Sequence, residues 1–228
     1  VSGISKRHLR IKYFKTKKKI NIPIVFISTN LYKGNLGMFT TWLTDYERAL
    51  NEQKLVELVF SKIPYKVRYK TYPEDNRRYS DIDPVIDTIK SSDNIQLFEK
   101  KIDMRYLLSQ HRIIITSKAT STIGWPIMTG KPVIFINYPD NNPLTVEAFK
   151  EFSSALFVFD ASYDNFYTEL FDFLSKPIEE IEFLWIEKSS HRKKMINKYF
   201  SAYDSDAGVR AANMIVKNYY ENTSNYSS

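Results

Sequence analysis

Four hydroxyl residues, Ser117, Thr120, Ser121 and Thr122, stand between two short apolar runs, Ile113–Ile115 and Val133–Ile136. Both runs are rich in β-branched residues, which suits strands covered on both faces. The spacing predicts a strand, a hydroxyl-rich turn, a short helix closed by Gly130, and a second strand after Lys131 and Pro132. In an open α/β sheet such a helix presents free N–H groups and a partial positive charge at the carboxyl edge of the strands. Hydroxyls added to that terminus make a seat for a phosphate. Ser and Thr are also common helix caps, so the local pattern leaves a ligand seat and an ordinary cap both open.

Two further groups of residues are expected at the same edge. Arg68, Lys70 and Tyr72 alternate to one face of a basic strand that ends at Pro73. A cation and a phenol there suit a phosphate and a base, or else a polar edge strand stopped by proline. Ser28 and Thr29 open the loop after the first strand, with Gly34 and Gly37 permitting close backbone approach. That loop is neither a P-loop nor a GxGxxG turn. Paired aspartates occur at Asp81 and Asp83 and at Asp204 and Asp206. Asp83 is better read as the cap before Pro84, and the second pair falls in a tail loop, so no metal is expected. His8, His111 and His191 lack an evident Ser or Asp partner, which leaves a hydrolase triad unsupported.

Strands that alternate with helices must position these groups. Strands are expected over Ile22–Ser28, Tyr65–Tyr72, Ile95–Phe98, the two runs above and Leu156–Phe159. Helices are expected over Trp42–Ile63, from Asp83, from Asp103, after the hydroxyl turn, over about 145–154 and over Tyr163–Leu174. In the first of these, Leu43, Tyr46, Leu50, Leu55, Leu58 and Val59 fall on roughly one side and should face the core. The expected fold is therefore α/β, a Rossmann-like parallel sheet of about six strands flanked by helices, with a helical C-terminal tail. The chain is expected to divide into a basic arm or linker (1–21), a Rossmann-like nucleotide-binding domain (22–177), C-terminal helices anchored by Trp185 and Phe200 (178–220) and a polar, disordered end (221–228).

With 43% hydrophobic residues in 228, the chain can bury a substantial core. The absence of cysteine excludes disulfides, thiolate metal sites and a cysteine nucleophile, and fits a reducing compartment. No apolar run approaches the roughly 18 residues of a membrane span. Residues 1–44 carry nine lysines or arginines and no acid, so the net charge of +7 resides in the arm and the rest is nearly neutral. An arm of that kind suits an anionic membrane surface or a solvated linker. Nucleic acid is not an expected partner, because the globular part has no basic stripe. A cytoplasmic location is expected, with the arm either touching the inner face of the membrane or serving as a linker.

From Ile22 to Tyr203 the chain resembles the C-terminal, donor-binding domain of GT-B glycosyltransferases of the surface-polysaccharide and lipopolysaccharide type. That group includes Kdo- and sialic-acid-transferring enzymes and surface-carbohydrate transferases of spirochaetes. The resemblance rests on Ser28 and Thr29 after the first strand, on Tyr72 and Pro73 closing a basic strand, and on Ser121-Thr122 followed by Gly130-Lys131-Pro132-Val133-Ile134. Tyr72-Pro73 stands where the Kdo and sialic acid enzymes have His-Pro. Gly124-Trp125-Pro126 stands where retaining GT-B enzymes carry a glutamate. The resemblance implies transfer of a sugar from a nucleotide sugar to a glycan or lipid-linked acceptor, with no metal cofactor. It implies that Ser121, Thr122 and the helix N-terminus stabilise the leaving phosphate, with Arg68 and Lys70 assisting and Tyr72 contacting the base or ribose. It also implies a second Rossmann-like domain or partner chain that brings the acceptor. A CDP-glycerol-type glycerophosphotransferase, or a non-catalytic Rossmann-like binding module, would use the same seat.

Overall fold

Six short strands of isoleucine, valine and phenylalanine build the centre of the protein. The computed structural model describes residues 20–28, 45–71, 84–100, 102–119, 121–140, 144–200 and 206–224. The strands are β1 (Ile24–Ile27), β2 (Val67–Lys70), β3 (Ile95–Phe98), β4 (Ile113–Thr116), β5 (Val133–Asn137) and β6 (Phe157–Asp160). All pair in parallel in the order β3-β2-β1-β4-β5-β6. β1, β4 and β5 are buried along their whole length, as continuous apolar runs require. The chain builds outward from β1 to β3 and then returns to the other side of β1 as β4. The sheet therefore has its switch point between β1 and β4, where Ile27 lies opposite Thr116.

The first helix, α1 (Asp45–Leu55), widens into a π-helical turn over Val56–Phe60, with Ser61 N–H donating to the Val56 carbonyl at 2.9 Å. The Asn94 amide nitrogen lies 2.8–3.0 Å from the carbonyls of Phe60, Ile63 and Tyr65 and so meets the groups this ending releases. The buried side of α1 is not the expected one. Tyr46 is 65% exposed and Leu58 40% exposed, while Arg48, Ala49, Glu52, Leu55, Val56 and Val59 face inward. Leu43 lies outside the described residues. Phe26 meets Phe60 and Tyr69 at ring distances of 5.3 and 5.4 Å on that side of the sheet.

α2 (Pro84–Lys90) follows. The helix expected from Asp103 is instead a pair of 3₁₀ turns, Met104–Tyr106 and Leu108–Gln110. Asp103 caps the first, its carboxylate accepting from Arg105 N–H at 2.9 Å. This segment must carry the chain from β3 past β2 and β1 to β4, and the longer rise of a 3₁₀ turn gives it that reach. Beyond β4 come α3 (Ser121–Met128), α4 (Val146–Ala155, capped by Thr145), α5 (Phe166–Leu174), α6 (Ile178–Glu187), α7 (Ser189–Tyr199) and α8 (Ala207–Ser224). Ile178, Ile181, Trp185 and Met195 join the same apolar core as the strands. Phe200 lies against Gly124 of α3.

The amino edge of the sheet is tied by polar contacts that the sequence did not show. Lys131 is buried and its ammonium donates to the carbonyls of Leu108 and Ser109, at 3.0 and 2.9 Å, and of His111. Burial holds its pKa down at about 8. The lysine of the Gly-Lys-Pro turn thus secures the 3₁₀ turns. Gly130 adopts φ 74°, the left-handed conformation that ends α3, and its carbonyl accepts from Trp185 Nε1–H at 2.8 Å. Arg112 grips Glu182 through two bonds of 2.9 and 2.6 Å and Glu179 at 2.7 Å, which docks α6.

His111 is fully buried at the same edge. Its Nδ1–H donates to the Ile22 carbonyl at 2.8 Å, leaving Nε2 to face the Arg68 guanidinium at 3.4 Å. Burial, with added repulsion from Arg68 and Lys131, lowers its pKa to about 4. Below its ordinary pKa of 6.5 the unfolded chain takes up a proton that the folded chain refuses. Folding stability is therefore expected to fall by about 3 kcal/mol as pH drops from about 6.5 to about 4. Urea unfolding across that range, in wild type and His111→Gln, measures it; an equal slope in both would exclude His111 as the cause.

Candidate functional site

At the switch point, the carboxyl ends of β1 and β4 deliver Ser28 and Ser117, each just past the last paired residue. α1 returns antiparallel to β1, so its N-terminal half lies over this edge. That half carries two ionisable residues on its inner face, Arg48 and Glu52, each only 3% exposed. A carboxylate so deep must be met by donors. Ser28 Oγ–H donates to the Glu52 carboxylate, 3.0 and 2.8 Å from its two oxygens, and the Tyr69 hydroxyl donates to Oε2. The Tyr69 hydroxyl also lies 3.2 Å from Ser28 Oγ.

Lys118 follows Ser117 at the end of β4 and is half-buried. Its pKa is lowered to about 8, first by burial and then by repulsion from Arg48, with Glu52 acting the other way. Tyr138, just beyond β5, has a hydroxyl sealed from solvent with no hydrogen-bond partner among the described residues. Burial raises its pKa well above the ordinary value, and the neighbouring Tyr167, Glu52 and Tyr69 reinforce the shift. Arg48, Glu52, Tyr69, Lys118 and Tyr138 thus gather with Ser28 around one corner. The arrangement combines two cations, a fixed carboxylate and phenols, and it can hold an anionic group beside hydroxyl-bearing ones.

The residues expected from sequence fall into three sets. Ser28 and Ser117 lie at the switch point, and Ser121 opens α3 beyond it with Thr122 half-buried in the first turn. Lys70 lies at the same edge on β2, but its ammonium donates to the main-chain carbonyls of Thr71 and, at 3.2 Å, Lys100, above the Phe98 ring. Arg68 lies two residues nearer the amino edge, where it donates to Gln96 at 3.0 Å and sits over Phe98. Thr29, Tyr72 and Thr120 lie outside the described residues. A signal for the missed pair was present: Arg48 and Glu52 are spaced i, i+4 on one helix face and flank the small Ala49. An open depression lined by Glu57, Ser61, Thr88, Ser91 and Asp93 lies at the opposite, amino edge and holds no comparable charge pair.

No protein-family model and no curated protein matches the sequence. Among solved structures, the chain is similar to the spinosyn forosaminyltransferase SpnP, with a TM-score of 0.52 at 16% identity over 92% of this chain and 46% of that one. It is similar to a glycosyltransferase from Rickettsia africae ESF-5, again with a TM-score of 0.52 at 16% identity, over 94% of this chain and 53% of the other. The chain spans about half the length of these solved glycosyltransferases. Its Rossmann-like α/β fold is thus one that glycosyltransferases contain.

Replacing Tyr69 by Phe removes one donor to a buried charge and is expected to cost about 1–2 kcal/mol of stability. Glu52→Ala, which strands both hydroxyls and the adjoining cations, should cost about 3–5 kcal/mol. Guanidinium unfolding of the two variants checks this; small, equal losses would mean that the carboxylate does not organise the corner.

Proposed function

We propose that this chain binds the nucleotide-activated donor of a glycosyl transfer at the carboxyl edge of its sheet. The observation that carries the reading is the placement of α3. Its first residues, Ser121 and Thr122, follow β4 at the switch point of a fold that solved glycosyltransferases share. A helix N-terminus with hydroxyls there suits a phosphate.

In the reaction, the bond between the anomeric carbon and the donor phosphate breaks and the acceptor oxygen bonds to that carbon. The electron pair leaves with the phosphate, and the acceptor proton passes to a base. Negative charge grows on the leaving phosphate, so fixed N–H groups and cations near it lower the barrier more than they tighten ground-state binding. Ser117, Ser121 and Thr122 would supply hydrogen bonds, and Ser28, Thr29 and Tyr72 would frame the base and ribose. Lys70 and Arg68 contribute positive potential in this reading rather than direct contacts, because their donors serve the protein itself. The acceptor we assign is a surface polysaccharide or lipid-linked glycan, with the basic segment 1–21 favouring an anionic membrane surface. A partner domain or chain would present it. Transfer of glycerol phosphate from CDP-glycerol would draw on the same seat.

Ser121→Ala combined with Thr122→Val is expected to weaken nucleotide binding by about 1–3 kcal/mol, the worth of hydrogen bonds to a charged group. Calorimetric titration with a panel of UDP, GDP, CDP, dTDP and CMP measures it. Unchanged affinity in the double variant, or no binding of any nucleotide to the wild type, would overturn the reading.

A further inference from the structure

The C-terminal helix α8 is amphipathic, yet its apolar side faces solvent. At helical spacing Val209, Ala212, Ile215, Val216 and Tyr219 form one stripe, and Arg210, Asn213, Lys217 and Asn218 lie outside it. Val209, Ile215, Val216 and Tyr219 are 52–69% exposed. Met214, on the polar side, is exposed as well. Among the described side chains of α8 only Arg210 is half-buried. An apolar stripe left in water over a whole helix marks an interaction surface. The 18 residues of α8 span about 27 Å, and the helix is not apolar enough to cross a membrane.

Charge indicates what covers the stripe. Residues 45–187 hold 17 lysines or arginines and 23 acids, whereas residues 188–217 hold seven bases and two acids, Asp204 and Asp206. Four of those bases lie on α7, which carries no acid. Arg192 stacks on Trp185, and Lys198 pairs with Glu147 and Glu151 of α4. Lys193 and Lys194 are exposed and make no ion pair among the described residues. α8 begins eight residues after the end of α7, so at most about 28 Å of chain separates the two helices.

We propose that α8 lies on an anionic lipid surface, with its stripe entering the boundary between headgroups and acyl chains and the lysines of α7 meeting the headgroup charge. Isoleucine and valine gain by leaving water, and a tyrosine ring suits the headgroup level. Lysines near such a surface add attraction that salt weakens. Two other occupants fit less well. A second copy would bring the same positive charge against α7, and two helices of this length offer on the order of 600 Å² together, below what a specific dimer buries. A nucleic acid would take the lysines and leave the stripe in water. The surface is separate from the donor seat and from segment 1–21, and it stands whether or not a nucleotide binds.

The test is flotation of the full chain with vesicles of phosphatidylcholine, alone or mixed with phosphatidylglycerol, at low and high salt. Ile215→Gln/Val216→Gln strips the stripe at exposed positions while keeping helix propensity. Lys193→Gln/Lys194→Gln removes the charge, and Lys17→Gln/Lys18→Gln/Lys19→Gln is the comparison for the N-terminal segment. Circular dichroism and thermal unfolding confirm that each variant is folded. The wild type is expected to float only with phosphatidylglycerol and to be released by salt. The Ile215/Val216 and Lys193/Lys194 variants should each bind at least about fivefold more weakly. The chain has no cysteine, so a polarity-sensitive dye on Ala212→Cys reports the stripe and one on Asn218→Cys the polar side. Emission should move to the blue on anionic vesicles for the first only. Unchanged flotation of Ile215→Gln/Val216→Gln, or no flotation of the wild type, overturns the proposal. Loss confined to the Lys17/Lys18/Lys19 variant also overturns it and gives the membrane contact to segment 1–21. A concentration-dependent doubling of mass that Ile215→Gln/Val216→Gln abolishes overturns it in favour of a second copy, and binding to DNA without binding to vesicles in favour of a nucleic acid.

Discussion

A carboxylate taken out of water costs several kcal/mol unless donors replace its hydration, and Glu52 is such a carboxylate. Ser28 and Tyr69, on neighbouring strands, provide the donors. The rotation of α1 about its own axis follows from that requirement. Leu58 and Tyr46 turn to solvent, although their size alone would have placed them inside, and Arg48 turns inward at the edge of the sheet. One hydrogen-bonded cluster thereby connects the ends of β1 and β2 to the helix that covers them.

Both edges of the sheet carry buried or half-buried ionisable groups. At the amino edge three of them are met by the protein itself. Lys131 gathers three carbonyls, Arg112 clasps two glutamates of α6, and His111 stays neutral against the Ile22 carbonyl. These contacts hold the 3₁₀ crossover and the C-terminal helices against the strands. At the carboxyl edge, Glu52 accepts from Ser28 and Tyr69, burial and repulsion from Arg48 lower the pKa of the half-buried Lys118, and the Tyr138 hydroxyl is buried. Lys70 also reaches the carboxyl edge, where its ammonium donates to the backbone just past β2 and just past β3.

Position on the fold marks this edge as the ligand-binding one for sheets of this kind. The strand order reverses between β1 and β4, the position at which open α/β sheets take ligands. The helix that opens with Ser121 points its N-terminus there, and Phe200 packs against Gly124 from behind, so the end of α7 backs the helix.

The strands and the α/β class were legible in the sequence because both depend on local pattern. Runs such as Ile113–Ile115 and Val133–Ile136 suit only a sheet covered on both faces, and hydroxyls before a helix mark its start whatever lies elsewhere in the chain. Some features needed the assembled sheet. The replacement of the Asp103 helix by 3₁₀ turns reflects the distance between β3 and β4, a length that no local window contains. The inward face of α1 was set by Ser28 and Tyr69, which lie 24 residues before and 17 residues after Glu52. Partners of lysine and arginine were likewise beyond reach of pattern, since a long flexible cation binds whatever acceptors the fold brings within its radius. The sequence thus determined the kind of layers this protein has, and where its chain would turn. Only packing decided which partners the charged side chains of those layers meet.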